Sequence, residues 1–405
     1  MLFGTEVVVL PVTVGFLLLP VPESSKIPLE IVKRRNIRLV RKSRMSKKKI
    51  SIILLAISLV ILLGLGGYYL VGKHQINKLQ TMTFEEMLAY TTQNNNDAII
   101  TVGVIQNGEM TYDVYGENGK KLSPEEHIYE IGSVTKTFTA SLLCKAVSED
   151  RLSFDDSIDE HLQLERQEYY PTIRELVTHT SGYKGYYFET PMVSNFFRGG
   201  NSFAGITQEM LLKRINDVDI VESDNPFVYS NFGFAALGLV LNEIYDDDYT
   251  HLMNEYISEE LGFEKTRISD GSGNLKGYWQ WLEADAYLPA GALLSTITDM
   301  LKYAQLHMGG EPGYLNLAHE ALAEVNNTPE SYEKMGIYID AVDVGWMIDR
   351  QNGIFWHNGA TSNFNSYIGF DRENQVGVVI LSNLPPDYRI PATVMGIKLL
   401  TSLQD

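Results

Sequence analysis

Three short groups of residues carry nucleophilic, basic or proton-transferring side chains, and the first is Ser133 with Lys136 in the stretch IGSVTKTFTA (residues 131–140). Residues three apart lie on the same face of a helix, so the amine can reach the hydroxyl. Burial lowers the pKa of an amine, which lets it act as the base that activates a serine. Gly132 allows a tight turn, and we expect Ser133 at the positive end of the helix. Taken alone, the pair also fits an N-capping serine beside a solvated lysine.

The second group is Tyr229 and Asn231, which lie in a predicted loop before an apolar helix. In an extended segment, alternate residues project to the same side. A phenol can shuttle a proton and a carboxamide can hold a substrate amide, so we expect both side chains beside Ser133. The alternative is an ordinary aromatic loop.

The third group is the sequence His357-Asn358-Gly359-Ala360 at the end of a predicted strand. We expect Gly359 to let a ligand lie against the strand edge. His357 would face the carboxylate of that ligand or relay a proton, and the Ala360 amide would donate to an oxyanion. The alternative is a histidine followed by a simple turn.

Strands at both ends of the sequence, around a helical middle, must position these groups. They predict an α+β fold, in which distant parts of the chain close one antiparallel sheet beside a mostly helical region. The N-terminal elements are a helix opened by a capping box at Thr83 and a hairpin whose turn is Asn107-Gly108. The predicted segments are a helix 83–90, strands 98–105 and 110–116, a helix 133–147, a mostly helical region 171–308, strands 353–356, 366–370 and 376–381, and a helix 391–403.

Residues 50–72 form an uncharged run of 23 residues, flanked by Lys47-Lys48-Lys49 and Lys73. A helix of this length spans a hydrocarbon core of ~30 Å, whereas a cleavable signal peptide usually has a shorter apolar segment. The heavier basic flank predicts that the N-terminus stays in the cytoplasm. We therefore expect a single-pass protein of the cell membrane with everything after Lys73 outside the cell.

These features divide the chain into predicted segments. The sequence from Met45 reads as a natural start, so we infer that residues 1–44 come from an over-extended start. The segments are a basic cytoplasmic N-terminus (1–49), a transmembrane signal anchor (50–72), a stalk with a short helix (73–94) and a large globular domain (95–405).

Composition excludes several classes of protein. The chain has 405 residues and one cysteine, Cys144, so it has no disulfide framework. Its net charge is -18, and the part after residue 50 carries 22 basic and 48 acidic residues, which disfavours nucleic acid as a partner. The eight histidines are scattered without a metal-binding motif, and the acidic run 246–248 suits a solvated loop, so we expect no metal and no cofactor.

Taken in order, the three groups resemble the motifs of the serine β-lactamase and penicillin-binding-protein-like superfamily, most closely its class C β-lactamase and D-alanyl-D-alanine carboxypeptidase branch. The motifs are Ser-x-x-Lys at 133–136, Tyr-x-Asn at 229–231 and Lys- or His-x-Gly at 357–359. The resemblance covers residues 95–395 and implies a β-lactamase/transpeptidase-like fold. Further similar segments are HTSG (179–182), PAGALLS (289–295) and YIGFD (367–371).

The resemblance also implies a mechanism through a covalent acyl-enzyme, with the amides of Ser133 and Ala360 as the oxyanion hole. His179 would hold the helical region together rather than take part in chemistry. The implied catalytic residues are Ser133, Lys136 and Tyr229, and the implied substrate-binding residues are Asn231, His357, Gly359 and Ala360.

The third motif departs from the Lys-Thr-Gly that is usual in class C β-lactamases. His357 makes a positive charge conditional on pH, and Asn358 lacks the hydroxyl that commonly binds a substrate carboxylate. Both differences weaken the case for an efficient β-lactamase. The predicted membrane anchor, which holds the domain outside the cell, favours D-alanyl peptides or esters of the bacterial cell wall as substrates. The alternatives are a class C-like β-lactamase, a broad esterase, and a non-enzymatic protein that binds cell-wall peptides. The oligomeric state stays open.

Overall fold

The computed structural model describes residues 79–319 and 321–404. The predicted transmembrane segment at 50–72 and the segment boundaries before residue 79 lie outside this range, so they stay predictions. None of the helices within the described range is long and apolar enough to cross a membrane.

Eleven strands and eleven α-helices lie wholly within the described range. The strands are β1 (Ile100–Gln106), β2 (Glu109–Tyr115), β3 (Tyr129–Glu130), β4 (Arg267–Ile268), β5 (Leu293–Ser295), β6 (Ala323–Glu324), β7 (Ala341–Val342), β8 (Met347–Asp349), β9 (Ile354–Ala360), β10 (Asn365–Asp371) and β11 (Val376–Ser382). The helices are α1 (Phe84–Thr91), α2 (Thr135–Ser148), α3 (Ile173–Val177), α4 (Thr190–Arg198), α5 (Gln208–Asp217), α6 (Asn231–Tyr245), α7 (Tyr249–Glu255), α8 (Leu288–Gly291), α9 (Ile297–Gly309), α10 (Glu330–Glu333) and α11 (Ala392–Gln404).

The main sheet has the order β2-β1-β11-β10-β9-β8-β7-β6. Strand β1 pairs antiparallel with β11, from Ile100 opposite Ser382 to Gln106 opposite Val376, so the two ends of the domain close one sheet as predicted. Alternate residues of β11 belong to two apolar clusters on opposite faces, one shared with α9 and the other with α11. The sheet is therefore covered by helices on both faces.

Local signals at the start of the domain form as predicted. Thr83 accepts from the Glu86 amide at 3.3 Å, while the Glu86 carboxylate accepts from the Thr83 amide at 3.0 Å, which completes the capping box of α1. Asn107 and Gly108 have φ angles of 54° and 79°. Two consecutive positive angles are the geometry of a tight hairpin turn, which explains the Asn-Gly pair.

Three expectations from sequence need correction. The helical middle contains β4 and β5, and β5 pairs with both β3 and β4 in a second small sheet. Strands β6 to β8 extend the main sheet, although strands of two or three residues are too short to show a periodic pattern. The strand predicted at 353–356 continues to Ala360, because residues 357–360 pair with 365–368 of β10.

Candidate active site

Ser133 lies in a 3₁₀ turn, Gly132–Val134, immediately before α2. Gly132 has φ +50°, and a Cβ at this position would lie 2.5 Å from the Ala360 backbone nitrogen. Both facts require glycine, since other residues rarely adopt this angle. Ser133 is half-buried, whereas Lys136 is fully buried. The serine is thus the solvent-facing member of the pair.

The Lys136 amine has three hydrogen-bond partners: Nζ lies 3.2 Å from Ser133 Oγ, 2.7 Å from Asn231 Oδ1 and 2.6 Å from the Ala290 carbonyl oxygen. Burial lowers the pKa of Lys136 well below its ordinary value. A neutral amine has two N–H donors, and the two carbonyl-type oxygens can take both of them. The lone pair then faces the Ser133 hydroxyl, as a general base requires.

Tyr229 lies beside the same amine, with Lys136 Nζ 5.0 Å from the centroid of its ring. Burial raises the pKa of the Tyr229 phenol well above its ordinary value, while a hydrogen bond with Ser133 lowers it. At neutral pH the phenol therefore keeps its proton. This arrangement suits Tyr229 as a proton donor or relay and leaves Lys136 as the base.

The loop before α6 fixes the second motif. Ser230 caps α6 by accepting from the Gly233 amide at 2.9 Å, and Asn231 begins the helix. His179 Nδ1 accepts from the Ser230 amide at 3.1 Å, and its ring lies 4.5 Å from that of Tyr229. Burial lowers the pKa of His179 well below its ordinary value, so the imidazole is neutral. These contacts agree with a structural role for His179.

The third motif lies in β9 against the turn that carries the serine. A Cβ at Gly359 would lie 1.8 Å from the Ile131 carbonyl oxygen, which also accepts from the Ser366 hydroxyl at 2.8 Å. The glycine is therefore required by backbone packing, and not only by the approach of a ligand as predicted. The same packing brings Ala360 beside Gly132, next to Ser133. The two amides expected to bind an oxyanion thus belong to adjoining segments.

His357 is fully buried and electrically neutral. Its Nδ1 lies 2.7 Å from the Asn358 carbonyl oxygen. Because a carbonyl oxygen only accepts, Nδ1 carries the proton and Nε2 is left as an acceptor. Nε2 is buried without a hydrogen-bond partner among the described residues.

Burial and the nearby Lys136 lower the pKa of His357 to about 3. The expected pH-dependent positive charge is therefore absent at neutral pH, because protonation would place an unsolvated cation in a buried site. The Asn358 side chain instead donates to Thr393 Oγ1 of α11 at 2.9 Å.

Two groups at this site were not identified from the sequence. The Ala290 carbonyl holds Lys136, but a backbone oxygen has no signature of its own. Glu130 is 3% exposed and contacts Thr361 directly after the third motif. Its signal was a carboxylate within the apolar stretch Tyr129 to Ile131, three residues before the serine.

Asp247, His251 and Glu255 place ligand atoms within 4.8 Å of one another at the surface of α7. Asp248, in the predicted solvated loop, caps that helix by accepting from the His251 amide at 3.0 Å. Asp247 and His251 form an ion pair with each other, and Asp248 is the helix cap.

Comparisons with known proteins agree with this geometry. Residues 96–394 match the model of the family described as Beta-lactamase. The chain is 22% identical over 330 residues to Protein flp of Staphylococcus aureus (strain N315), which covers 75% of this chain and 63% of that protein. The chain thus spans less than two thirds of that relative.

Solved structures of two proteins share the fold. The octameric penicillin-binding protein homologue from Pyrococcus abyssi has a TM-score of 0.62 at 22% identity, over 78% of this chain and 75% of that one. The Beta-lactamase/D-alanine Carboxypeptidase from Yersinia pestis has a TM-score of 0.60 at 16% identity, over 79% of this chain and 96% of that one.

Proposed function

The chain belongs to the beta-lactamase family of serine hydrolases, which act through an acyl-enzyme, and from that premise we propose that its acyl donors are D-alanyl peptides or esters of the bacterial cell wall. The predicted superfamily, the α+β fold and the enzyme class are confirmed. The substrate and the roles of single residues belong to the proposal. The observation that carries it is the neutral, accepting third motif beside a lysine-activated serine.

In the proposed reaction, Ser133 Oγ attacks the acyl carbonyl while its proton passes to the Lys136 amine. The amides of Ser133 and Ala360 donate to the oxyanion, and each such donor is typically worth about 3 kcal/mol. Collapse of the intermediate breaks the bond to the leaving group, which takes a proton through Tyr229. Water then attacks the acyl-enzyme by the same route and regenerates Ser133.

His357 supports D-alanyl esters over peptides that end in a free carboxylate. Its ring is neutral and its buried Nε2 can only accept, so it offers a substrate carboxylate neither a positive charge nor an N–H donor. A carboxylate would meet no cation at this position, and a buried acceptor facing another acceptor is unfavourable. The same argument disfavours β-lactams, whose carboxylate needs a donor.

Three alternatives remain for the experiment to separate: a class C-like β-lactamase, a broad esterase and a protein that only binds cell-wall peptides. Asn231, Lys136 and Ser133 form one hydrogen-bonded set, which supports an enzyme because binding alone needs no activated hydroxyl.

We also propose attachment to the cell membrane through residues 50–72, with the domain outside the cell. The apolar run and its basic flank support that location.

A substrate comparison with the full chain in detergent tests the function. We expect kcat/KM for a D-alanyl methyl ester to exceed that for an acyl-D-alanyl-D-alanine peptide or a chromogenic cephalosporin by about tenfold or more, since a desolvated unpaired charge costs more than 1.4 kcal/mol. His357→Lys should supply the missing cation and so reduce the difference in kcat/KM between the ester and the two carboxylate-bearing substrates. Ser133→Ala is the control and should remove all turnover.

The other outcomes select the alternatives. Cephalosporin turnover as fast as that of the ester would identify a β-lactamase. Equal rates with acetyl and D-alanyl esters would identify a broad esterase. The absence of Ser133-dependent turnover with every donor would leave the binding protein.

A further inference from the structure

Glu130 is a buried carboxyl group three residues before the nucleophile, and its two oxygens contact two other segments of the chain. Oε2 accepts from the Thr361 hydroxyl at 2.6 Å, and Oε1 accepts from the Trp279 backbone amide at 2.5 Å. Glu130 itself is held in β3, opposite Leu294 of β5. One side chain therefore links the strand that leads to the serine, the end of β9 and the loop around residue 279.

The contact with Thr361 acts on the oxyanion side of the site. Thr361 follows Ala360, and its amide donates to the Phe364 carbonyl at 2.9 Å, which closes the turn between β9 and β10. Ala360 lies so close to Gly132 that a Cβ at residue 132 would be 2.5 Å from the Ala360 backbone nitrogen. A shift of Thr361 away from Glu130 would therefore move the Ala360 amide relative to the Ser133 amide.

A second set of bonds joins the same two loops outside the carboxyl group. Trp279 Nε1 donates to Ser362 Oγ at 2.9 Å, and Asn363 Nδ2 donates to the Gly277 carbonyl at 2.8 Å. Ser362 and Asn363 are exposed, whereas Thr361 is 4% exposed. The buried contact to Glu130 is thus the part of this connection that water cannot replace.

We propose that Glu130 is a positioning residue that holds the Ala360 amide in register with Ser133 through its hydrogen bond to Thr361. Glu130 does not touch the reacting atoms, so it acts through the oxyanion hole. The inference rests on the proposed acyl transfer at Ser133.

The chemistry of the contact allows a conservative replacement. Burial raises the pKa of Glu130 to about 7, with the Thr361 and Trp279 donors opposing the shift, and Tyr278 is the titratable neighbour whose own pKa this carboxyl group raises. A glutamine keeps one oxygen to accept from the Trp279 amide and gains an N–H to donate to the Thr361 hydroxyl. Glutamine should therefore preserve both links, whereas alanine removes both.

Two matched pairs of variants test the proposal in the full chain: Glu130→Ala against Glu130→Gln, and Thr361→Val against Thr361→Ser. Rates are measured with a neutral ester and divided by the active-site concentration from fluorophosphonate titration. We expect kcat to fall about 10- to 100-fold in the alanine and valine variants, because an oxyanion donor acts mainly in the transition state. KM of all four variants should stay within roughly threefold of the parent. The kcat of Glu130→Gln and Thr361→Ser should stay within the same range.

An unchanged kcat per active site in Thr361→Val would overturn the inference even if Glu130→Ala fails to fold. A loss in Glu130→Gln as large as that in Glu130→Ala would also overturn it, since the hydrogen bonds would then not be the cause. Turnover that persists in Ser133→Ala would instead defeat the proposed function, which keeps the two failures distinct.

Discussion

Two serines, one just before helix α2 and one within it, contact buried bases, and only one of them is open to a substrate. Ser133 contacts Lys136 at 3.2 Å. Eight residues later, Ser141 Oγ lies 3.3 Å from His307 Nε2, and His307 Nδ1 lies 2.9 Å from His319 Nε2.

Asp343 continues the second cluster, with Oδ2 3.9 Å from His319 Nδ1. By residue type, this cluster is closer to a Ser-His-Asp triad than the first one is. Yet Ser141 is 0% exposed and donates to the Thr137 carbonyl of its own helix at 2.9 Å. Residue types and hydrogen bonds therefore do not make a catalytic site unless the nucleophile can meet a substrate.

The largest difference between the clusters should appear on removal of each hydroxyl. Ser133→Ala should lower kcat/KM for an activated ester by on the order of 10³-fold or more, because no nucleophile remains. Ser141→Ala should leave that rate within a few-fold of the parent. Its effect should be on the free energy of unfolding, lower by about 1–2 kcal/mol, because His307 and Tyr303 lose a buried partner. If Ser141→Ala lost covalent labelling by the activated ester, the distinction between a catalytic Ser133 and a structural Ser141 would fail.

The next largest effect is expected on removal of Lys136, the base that contacts Ser133. Lys136→Met should lower kcat by about 10²- to 10⁴-fold, the usual range for a general base. In the parent the amine must be neutral, so kcat/KM should rise with pH through the lowered pKa of Lys136 and level off well below the ordinary 10.5. The raised pKa of Tyr229 predicts that the plateau continues through the ordinary tyrosine range. A pH profile of neutral-ester hydrolysis that still climbs near pH 10 would disagree with a buried, neutral lysine.

The smallest expected effect is on stability, and it concerns the second cluster, which contains His319. Burial lowers the pKa of His319 to about 3, so the folded chain resists a proton that the unfolded chain binds below about pH 6.5. This part of the stability is complete above pH 6.5 and is lost as pH falls toward 3. His319→Gln removes this pH-dependent contribution. The free energy of unfolding of the parent exceeds that of the variant, and this difference should shrink by about 1–2 kcal/mol between pH 7.5 and pH 5.

Denaturant unfolding at the two pH values measures that change. Ser133→Ala is a matched control, because its site is open and lacks this histidine. A deficit that is the same at both pH values would show that His319 is not held neutral in the folded protein.

Short-range signals made much of the fold predictable. The capping box at Thr83, the Asn107-Gly108 turn and the three-residue spacing of Ser133 and Lys136 each depend on contacts within a few residues. The structure places all three as expected. The resemblance to a known family then joined motifs that lie about 100 residues apart.

Long-range contacts were not predictable in the same way. The Ala290 carbonyl meets Lys136 across 154 residues, and Thr361 meets Glu130 across 231. The tautomer of His357 depends on the local path of the Asn358 backbone, which residue types do not encode. These contacts decide the pKa and hydrogen-bonding character of the site, so the proposed substrate preference depends on the structure.

The most direct test of the account is to locate the covalent adduct. The full chain is quenched during reaction with a fluorescent penicillin or an activated ester, weighed intact and digested with trypsin. Cleavage after Lys136 places Ser133 and Ser141 on different peptides. The account predicts one adduct, on the peptide that contains Ser133, and none in Ser133→Ala. An adduct on the Ser141 peptide, or labelling that survives in Ser133→Ala, would contradict it.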